Sequence, residues 1–229
     1  LPKSLRVYHA TEDYFTSSSA MRTTAVVPDS IRRLAGKLDL VVAVTEPILD
    51  EIRKSCGYTG PAVVAPNGCD FEFFARLGNS GSGPDLERGR VVIYQGALNA
   101  RLDYDLLHEI ALLLPDYQFR FVGRCVESSG TRRLRELENV GILGPMSPED
   151  FGREMYRASV GIIPFIQDAW IRNSLPLKTF EYVACGLPVV SVPIEALAPH
   201  AADERIIKFA CTAEEFADAI RSASVSRHD

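Results

Sequence analysis

No apolar run in this chain is long. LDLVVAV, VVIYQ and VGIIPFI all fall far short of the roughly 20 residues that span a bilayer. The first residues lack the charged start, apolar stretch and small-residue cleavage site of a signal peptide, so the expectation is neither a span nor an export signal. Cysteine is sparse: Cys56, Cys69, Cys125, Cys185 and Cys211 are an odd, scattered set without a CxxC pair. That argues against a disulfide framework or a zinc site and for a reducing cytoplasm. Histidine is scarcer still, and no HExxH, His-Asp-Cys cluster or paired-carboxylate spacing implies a metal. A basic excess is also missing, since the net charge of -5 gives no support for nucleic-acid binding. Two local basic runs remain, Arg32, Arg33 and Lys37, then Arg132, Arg133 and Arg135. They read either as solvated helix surfaces or as faces for anionic lipid or a phosphate-bearing acceptor.

What is present is a rhythm. Short β-branched runs alternate with longer stretches of helical period, the pattern of an α/β fold with a helix-covered parallel sheet. It predicts strands at 5–8, 40–44, 62–65, 91–95, 118–122, 140–143, 160–163, 189–192 and 206–209. Helices are expected at 29–36, 47–55, 103–114, 130–137, 148–157, 177–185 and 213–223. The Gly-, Ser- and charge-rich run RLGNSGSGPDLERGR breaks the rhythm and reads as an exposed connector. The expected organisation is a partial N-terminal Rossmann-like domain at 1–75, a linker at 76–88 and a C-terminal Rossmann-like domain at 89–229. Residues 1–75 supply only three strands, too few for an independent domain, so the front of that domain is expected to lie outside this sequence.

The run VGIIPFIQDAWIRNSLPLKTFEYVACGLPVV carries the chemistry. In doubly wound sheets, ligands collect beyond the C-terminal strand ends, where helix N-termini offer unpaired N–H groups. A strand ends at Pro164, a polar loop holds Arg172 and Asn173, and a helix begins near Pro176 or Leu177. Lys178 and Glu181, three apart, fall near one face of its first turns. A diphosphate would suit the helix start and Lys178, and a ribose diol would suit Glu181. On spacing alone, Glu181 reads equally well as a solvated residue or a partner of Lys178.

This segment resembles the donor-binding region of retaining glycosyltransferases of the two-domain GT-B type, family 4. Those enzymes carry Glu, seven residues, then a second Glu opening EAMAxGxPVV, and EYVACGLPVV matches the second half. The resemblance makes Glu181 the ribose-binding residue, with Gly186, Pro188 and Val189 as its scaffold. The first Glu of the pair falls on Asn173, and an amide is no carboxylate nucleophile. Front-face transfer, in which the protein supplies orientation and charge stabilisation, stays open. The family's GRL…KG segment is matched by VVIYQGALNARL, implying that Gly96 admits the donor diphosphate and Arg101 neutralises it. Ala97 replaces the family's Arg, with Arg172 or Lys178 as substitutes. Arg101 also reads as an exposed residue at a helix start. Gly123, Gly144 and Met146 are implied near the nucleobase, with Ser147 capping the next helix. PNGCDFEFF matches the family's connector, where Gly68 is expected in a turn needing backbone freedom, held locally by Asn67 and Asp70.

His9 is implied beside the sugar and Asp13 beside the acceptor, although a packed His and a capping carboxylate explain the same residues. Phe165 and Trp170 read as core residues before base-stacking ones. The metal-binding DxD of the GT-A enzymes is absent, and neither a P-loop nor a full GxGxxG is present. The resemblance implies metal-independent transfer of a sugar from a nucleotide-diphosphate-sugar to a hydroxyl acceptor, with catalytic roles for Asn173, Lys178 and His9. Donor contacts fall to Gly96, Arg101, Gly123, Met146, Arg172, Lys178 and Glu181. The donor is a substrate; no cofactor and no nucleic-acid partner are expected. An envelope or lipid-linked saccharide acceptor, reached from the cytoplasm with or without peripheral contact at the inner membrane face, fits the family. Two other readings stay open: a catalytically degenerate nucleotide-sugar-binding domain, and a GT-B sugar-nucleotide epimerase.

Overall fold

The computed structural model describes residues 4–16, 26–79 and 90–225. Most of the connector expected at 76–88 lies outside the described residues. In chain order the elements are β1 (Val7–Ala10), α1 (Val26–Ala35), β2 (Leu40–Ala43), α2 (Glu46–Cys56), β3 (Ala62–Val64) and α3 (Phe71–Asn79). There follow β4 (Val91–Gln95), α4 (Tyr104–Leu113), β5 (Gln118–Val122), α5 (Ser129–Arg135), β6 (Val140–Gly144) and α6 (Pro148–Arg157). The last are β7 (Val160–Ile163), α7 (Ala169–Asn173), α8 (Leu177–Ala184), β8 (Val189–Ser191), a 3-10 turn (Glu195–His200), β9 (Ile207–Phe209) and α9 (Ala213–Val225).

Two parallel sheets result, as the alternation of strand and helix requires. One has order β1-β2-β3 and the other β6-β5-β4-β7-β8-β9. The second order reverses direction at β4, where the chain crosses from the β5, β6 side to the β7, β8, β9 side. Such a switch point opens a crevice at the C-terminal strand ends. The strand beside it, β7, is buried along its whole length, as a central parallel strand must be.

The described residues form two compact units. One runs up to Asn67 and adds Gln167–Leu175 and Ile194–Ala198; the other comprises Gly68–Ile166, Pro176–Pro193 and the chain from Pro199. The first unit packs Val41, Ala43, Val44, Ile48, Leu49 and Ile52 between its sheet and α2. Thr45 caps α2 by accepting from the Ile48 N–H, and a cap of this kind contributes about 1 kcal/mol. The second unit buries the aromatic rings Phe119, Phe121, Tyr182 and Phe216 against its sheet.

Three features depart from the sequence reading. β1 lies two residues later than expected, at Val7–Ala10, because its partner register is fixed by β2. Helix α3 occupies the segment read as connector and the start of the linker; the Asp70 carboxylate accepts from Phe73 N–H and starts it. The polar loop before Asn173 contains α7, whose N-cap is Asp168 and whose Trp170 and Ile171 are buried.

Candidate active site

The ends of β4, β5 and β6 turn on three glycines of positive φ: Gly96 at 134°, Gly123 at 142° and Gly144 at 76°. Gly96 N–H donates to the Val122 carbonyl and Gly123 N–H to the Gly144 carbonyl, each at 2.9 Å. A Cβ on Gly123 would run into the Gly96 carbonyl. At Gly123, therefore, backbone lies directly on the backbone of Gly96. This is the close approach that only glycine permits.

Helix α8 stands over these strand ends. Pro176 is its N-cap residue, and no side chain caps the first turn. Gly186, with φ 66°, ends it; Gly186 N–H donates to Val183 and Leu187 N–H to the Tyr182 carbonyl. Tyr182 is fully buried and fixes the helix on the sheet. Its hydroxyl accepts from the Gln95 N–H at 2.8 Å, and its ring fills the space that a Cβ on Gly161 would need.

That anchor sets Lys178 one turn earlier. A Cβ on Gly96 would come within 3.3 Å of the Lys178 Nζ. The ammonium lies 4.5 Å from the Phe165 ring centroid and 4.7 Å from that of Tyr94, and it donates to the Tyr94 hydroxyl at 3.5 Å. Burial, and then the neighbouring Arg101 cation, pull the Lys178 pKa down to about 7, with Glu181 acting in the opposite sense. Arg101 is held by its backbone, its N–H donating to the Asn99 side chain and its carbonyl accepting from Ile166. The Glu181 carboxyl is pushed above the ordinary range by burial, which Lys178 partly offsets. Glu181 Oε2 is buried and accepts no hydrogen bond from any described residue. Cys69 lies near enough for the Glu181 charge to raise its thiol pKa, after the larger effect of burial.

An anion laid against Lys178 would favour its charged form, and a buried carboxylate oxygen without a donor suits hydroxyl or N–H groups. The cluster therefore suits a ligand bearing phosphates on one part and hydroxyls on another. Gly96, Arg101, Gly123, Lys178 and Glu181 all belong to the second unit, as does Met146, half-buried between Gly144 and the Ser147 cap of α6.

His9, Arg172 and Asn173 belong to the first unit. His9 is exposed on β1 and Arg172 is exposed on α7. Asn173 is tied down: its Nδ2 donates to Asp13 Oδ2 at 2.9 Å, and its carbonyl accepts from Thr45 Oγ1 at 3.0 Å. Asp13 is buried and also receives the N–H groups of Phe15 and Thr16.

Two connector expectations change. Gly68 does not adopt a positive φ, and a Cβ there would meet nothing within 4 Å, so the turn needs no special backbone freedom. Asn67 bonds not locally but to the Leu175 carbonyl, 108 residues away. Phe165 and Trp170 are both buried, Phe165 forming one wall around Lys178. Tyr94 and Cys69 escaped the sequence reading; the available signal for Tyr94 was its place two residues before the strand-end Gly96.

Among the described residues no group of three or more His, Cys, Asp or Glu side chains is placed to hold a metal ion. No described helix is long and apolar enough to cross a membrane.

Residues 89–224, more than half the chain, match the family model described as "Glycosyl transferases group 1". A Bacillus subtilis (strain 168) protein, TuaH, named as a teichuronic acid biosynthesis glycosyltransferase, is 31% identical over 128 residues, covering 54% of this chain and 32% of that protein. Sucrose-phosphate synthase from Thermosynechococcus elongatus superposes with a TM-score of 0.71 at 20% identity, over 98% of this chain and 59% of its own. HepE of Anabaena, solved in complex with UDP-glucose, gives 0.68 at 15% identity over 97% and 63%. WaaG, described as a glycosyltransferase involved in lipopolysaccharide biosynthesis, gives 0.69 at 17% identity over 97% and 66%. The chain thus spans less than two thirds of the length of these relatives. With parallel Rossmann-like sheets of GT-B architecture and the family match over its second half, the chain belongs to the group 1 glycosyltransferases.

Proposed function

We propose that this chain is part of a retaining glycosyltransferase that moves a sugar from a nucleotide-diphosphate-sugar to a hydroxyl acceptor. The observation that carries the reading is Lys178 packed against the strand-end Gly96, with Arg101 close enough to oppose its charge, beside Glu181, whose Oε2 is buried without a donor among the described residues. The donor diphosphate would take Arg101, Lys178 and the uncapped start of α8, with Gly96 and Gly123 allowing it to lie on backbone. Glu181 would accept from the ribose diol, and the loop of Gly144 and Met146 would border the base.

In the chemical step, the bond from the anomeric carbon to the diphosphate oxygen breaks and the acceptor oxygen bonds to the same face of that carbon. The acceptor proton passes to the departing phosphate oxygen. Arg101 and Lys178 stabilise the charge that grows on the diphosphate, a contribution that exceeds their ground-state binding. Asn173 is proposed, on the resemblance of its segment, as a neutral hydrogen-bonding group in the reaction. His9 is proposed as a sugar-facing residue and Arg172 as a supplementary cation. An envelope or lipid-linked saccharide is the proposed acceptor, in keeping with the names of TuaH and WaaG.

One observation favours a second reading, binding without turnover: an amide stands at 173, and Ala97 stands where the resembling segment has Arg. Incubation of the full-length protein with UDP-glucose, UDP-N-acetylglucosamine and GDP-mannose separates the two. Release of nucleoside diphosphate, abolished in Glu181→Ala with the fold retained, supports transfer. Saturable donor binding with no release under any acceptor condition supports the binding domain.

A further inference from the structure

We infer that the cleft where the starts of α4 and α5 meet is a second binding site, one for a short neutral saccharide. The cleft encloses about 590 Å³ and lies wholly in the second unit. Small-molecule sites commonly span roughly 300–1,000 Å³. None of Gly96, Arg101, Gly123, Lys178 and Glu181 lines it. Its walls are held together by the protein itself: the Tyr104 ring fills the space that a Cβ on Gly130 would need, and Arg133 forms an ion pair with Asp105, so two contacts tie α5 to α4.

The lining carries more hydrogen-bonding capacity than the protein uses. Asp103 Oδ1 accepts from the Leu106 N–H and Asp105 Oδ1 from Arg133, while the second oxygen of each accepts from no described residue. Asn99 Oδ1 accepts from the Arg101 N–H, whereas Asn99 Nδ2 and the Ser129 hydroxyl bond to no described residue. Leu102, Val126 and Ile166 add apolar surface to the same cleft, and Val126 is 45% exposed. This combination selects among ligand classes. A sugar hydroxyl both donates and accepts, so it can meet carboxylate, amide and guanidinium alike, with the C–H surface of the ring on the apolar residues. A phosphate only accepts, and here it would meet two carboxylates for one guanidinium. An apolar ligand would strip water from the polar groups without replacing their hydrogen bonds.

The cleft adjoins the donor cluster without sharing it. Ala100 and Leu102, on either side of Arg101, line it, and the N–H of Ile166, another lining residue, holds the Arg101 carbonyl. The role of such a site, keeping a saccharide beside the donor, rests on the transfer reading above; the binding itself does not.

Calorimetric titration of the full-length protein with maltotriose, cellotriose and triacetylchitotriose tests the site, with S129W as the variant that fills it. At least one of these sugars should bind the wild type saturably at millimolar concentration or below, and S129W should weaken that binding by about tenfold or more at near-wild-type melting. UDP binding should be the same in both proteins. Binding of none of the sugars, equal sugar binding by S129W, or a parallel loss of UDP binding overturns the inference. Inorganic phosphate probes the opposite chemistry: phosphate binding that S129W abolishes overturns the neutral assignment. Should S129W fail to fold, V126W, at an exposed position of the wall, decides by the same criteria. A wild-type protein that binds sugar in the cleft and releases no UDP from UDP-glucose upholds the site and overturns only its role in transfer.

Discussion

Lys178 should take up a proton when a sugar nucleotide binds. In the free protein, burial among aromatic rings and the nearby Arg101 hold its pKa at about 7. At pH 8 such a group is about 90% neutral, and at pH 7 about half neutral. A diphosphate laid against it reverses the balance, since an opposite charge within a few ångströms favours the ammonium. Binding of UDP-glucose, whose diphosphate is esterified at both ends and does not titrate near neutrality, should therefore draw in about 0.9 proton at pH 8, about 0.5 at pH 7 and about 0.1 at pH 6. The association constant should fall by up to tenfold per pH unit above 7. Calorimetric titration at pH 8 in two buffers of different ionisation enthalpy reads the proton number directly. K178R, whose guanidinium stays charged, should lose the proton uptake that Lys178 supplies. Binding enthalpies identical in the two buffers at pH 8 would refute the reasoning. The same shift gives a signed stability trend: the unfolded chain holds a proton that native Lys178 has released, so stability from this residue rises as pH climbs from about 7 towards the ordinary lysine value near 10.4.

Three further outcomes follow from the same site. E181Q removes a charge that burial disfavours and that lacks a partner at Oε2, so its melting temperature should be no lower than wild type, while UDP-glucose affinity falls by roughly 10-fold or more, as for lost hydrogen bonds to a charged acceptor; a lower melting temperature with unchanged affinity would make Glu181 structural. G123A sets a methyl group against the Gly96 carbonyl at a φ of 142°, and should cost about 2–4 kcal/mol in chemical denaturation. Y182F strips the Gln95 N–H of its buried acceptor and should destabilise by about 1–3 kcal/mol, with a larger proportional loss of donor binding than an equally destabilising change in α9.

Much of this architecture was legible because periodicity and glycine placement act locally. β4, β5, β7 and α6 lie at the bounds that their sequence pattern predicts, and Ser147 caps α6 through the Asp150 N–H. Lys178 and Glu181 could be nominated from helix spacing, whereas Gly96, Arg101 and Gly123 were nominated through the resemblance of their segments to the family's motifs. What escaped were long-range partnerships. Nothing local says that Asn67 reaches Leu175, or that Asp13 receives the Asn173 amide. Helix α7 was hidden for a related reason: five residues are too few for a readable period, and the burial of Trp170 and Ile171 comes from packing in the first unit. Tyr94 was overlooked because an aromatic residue on an apolar strand looks like ordinary core until Lys178 is found against its ring.

The contact between Gly96 and Gly123 has a mechanical corollary. With a carbonyl seated on an α-carbon and no flexible side chain to absorb strain, the loops leaving β4 and β5 cannot slide independently. Leu98 N–H donates to the Arg124 carbonyl and Val126 N–H to the Leu98 carbonyl, so the segment beginning at Ala97 and the one beginning at Arg124 are laced together beyond the sheet.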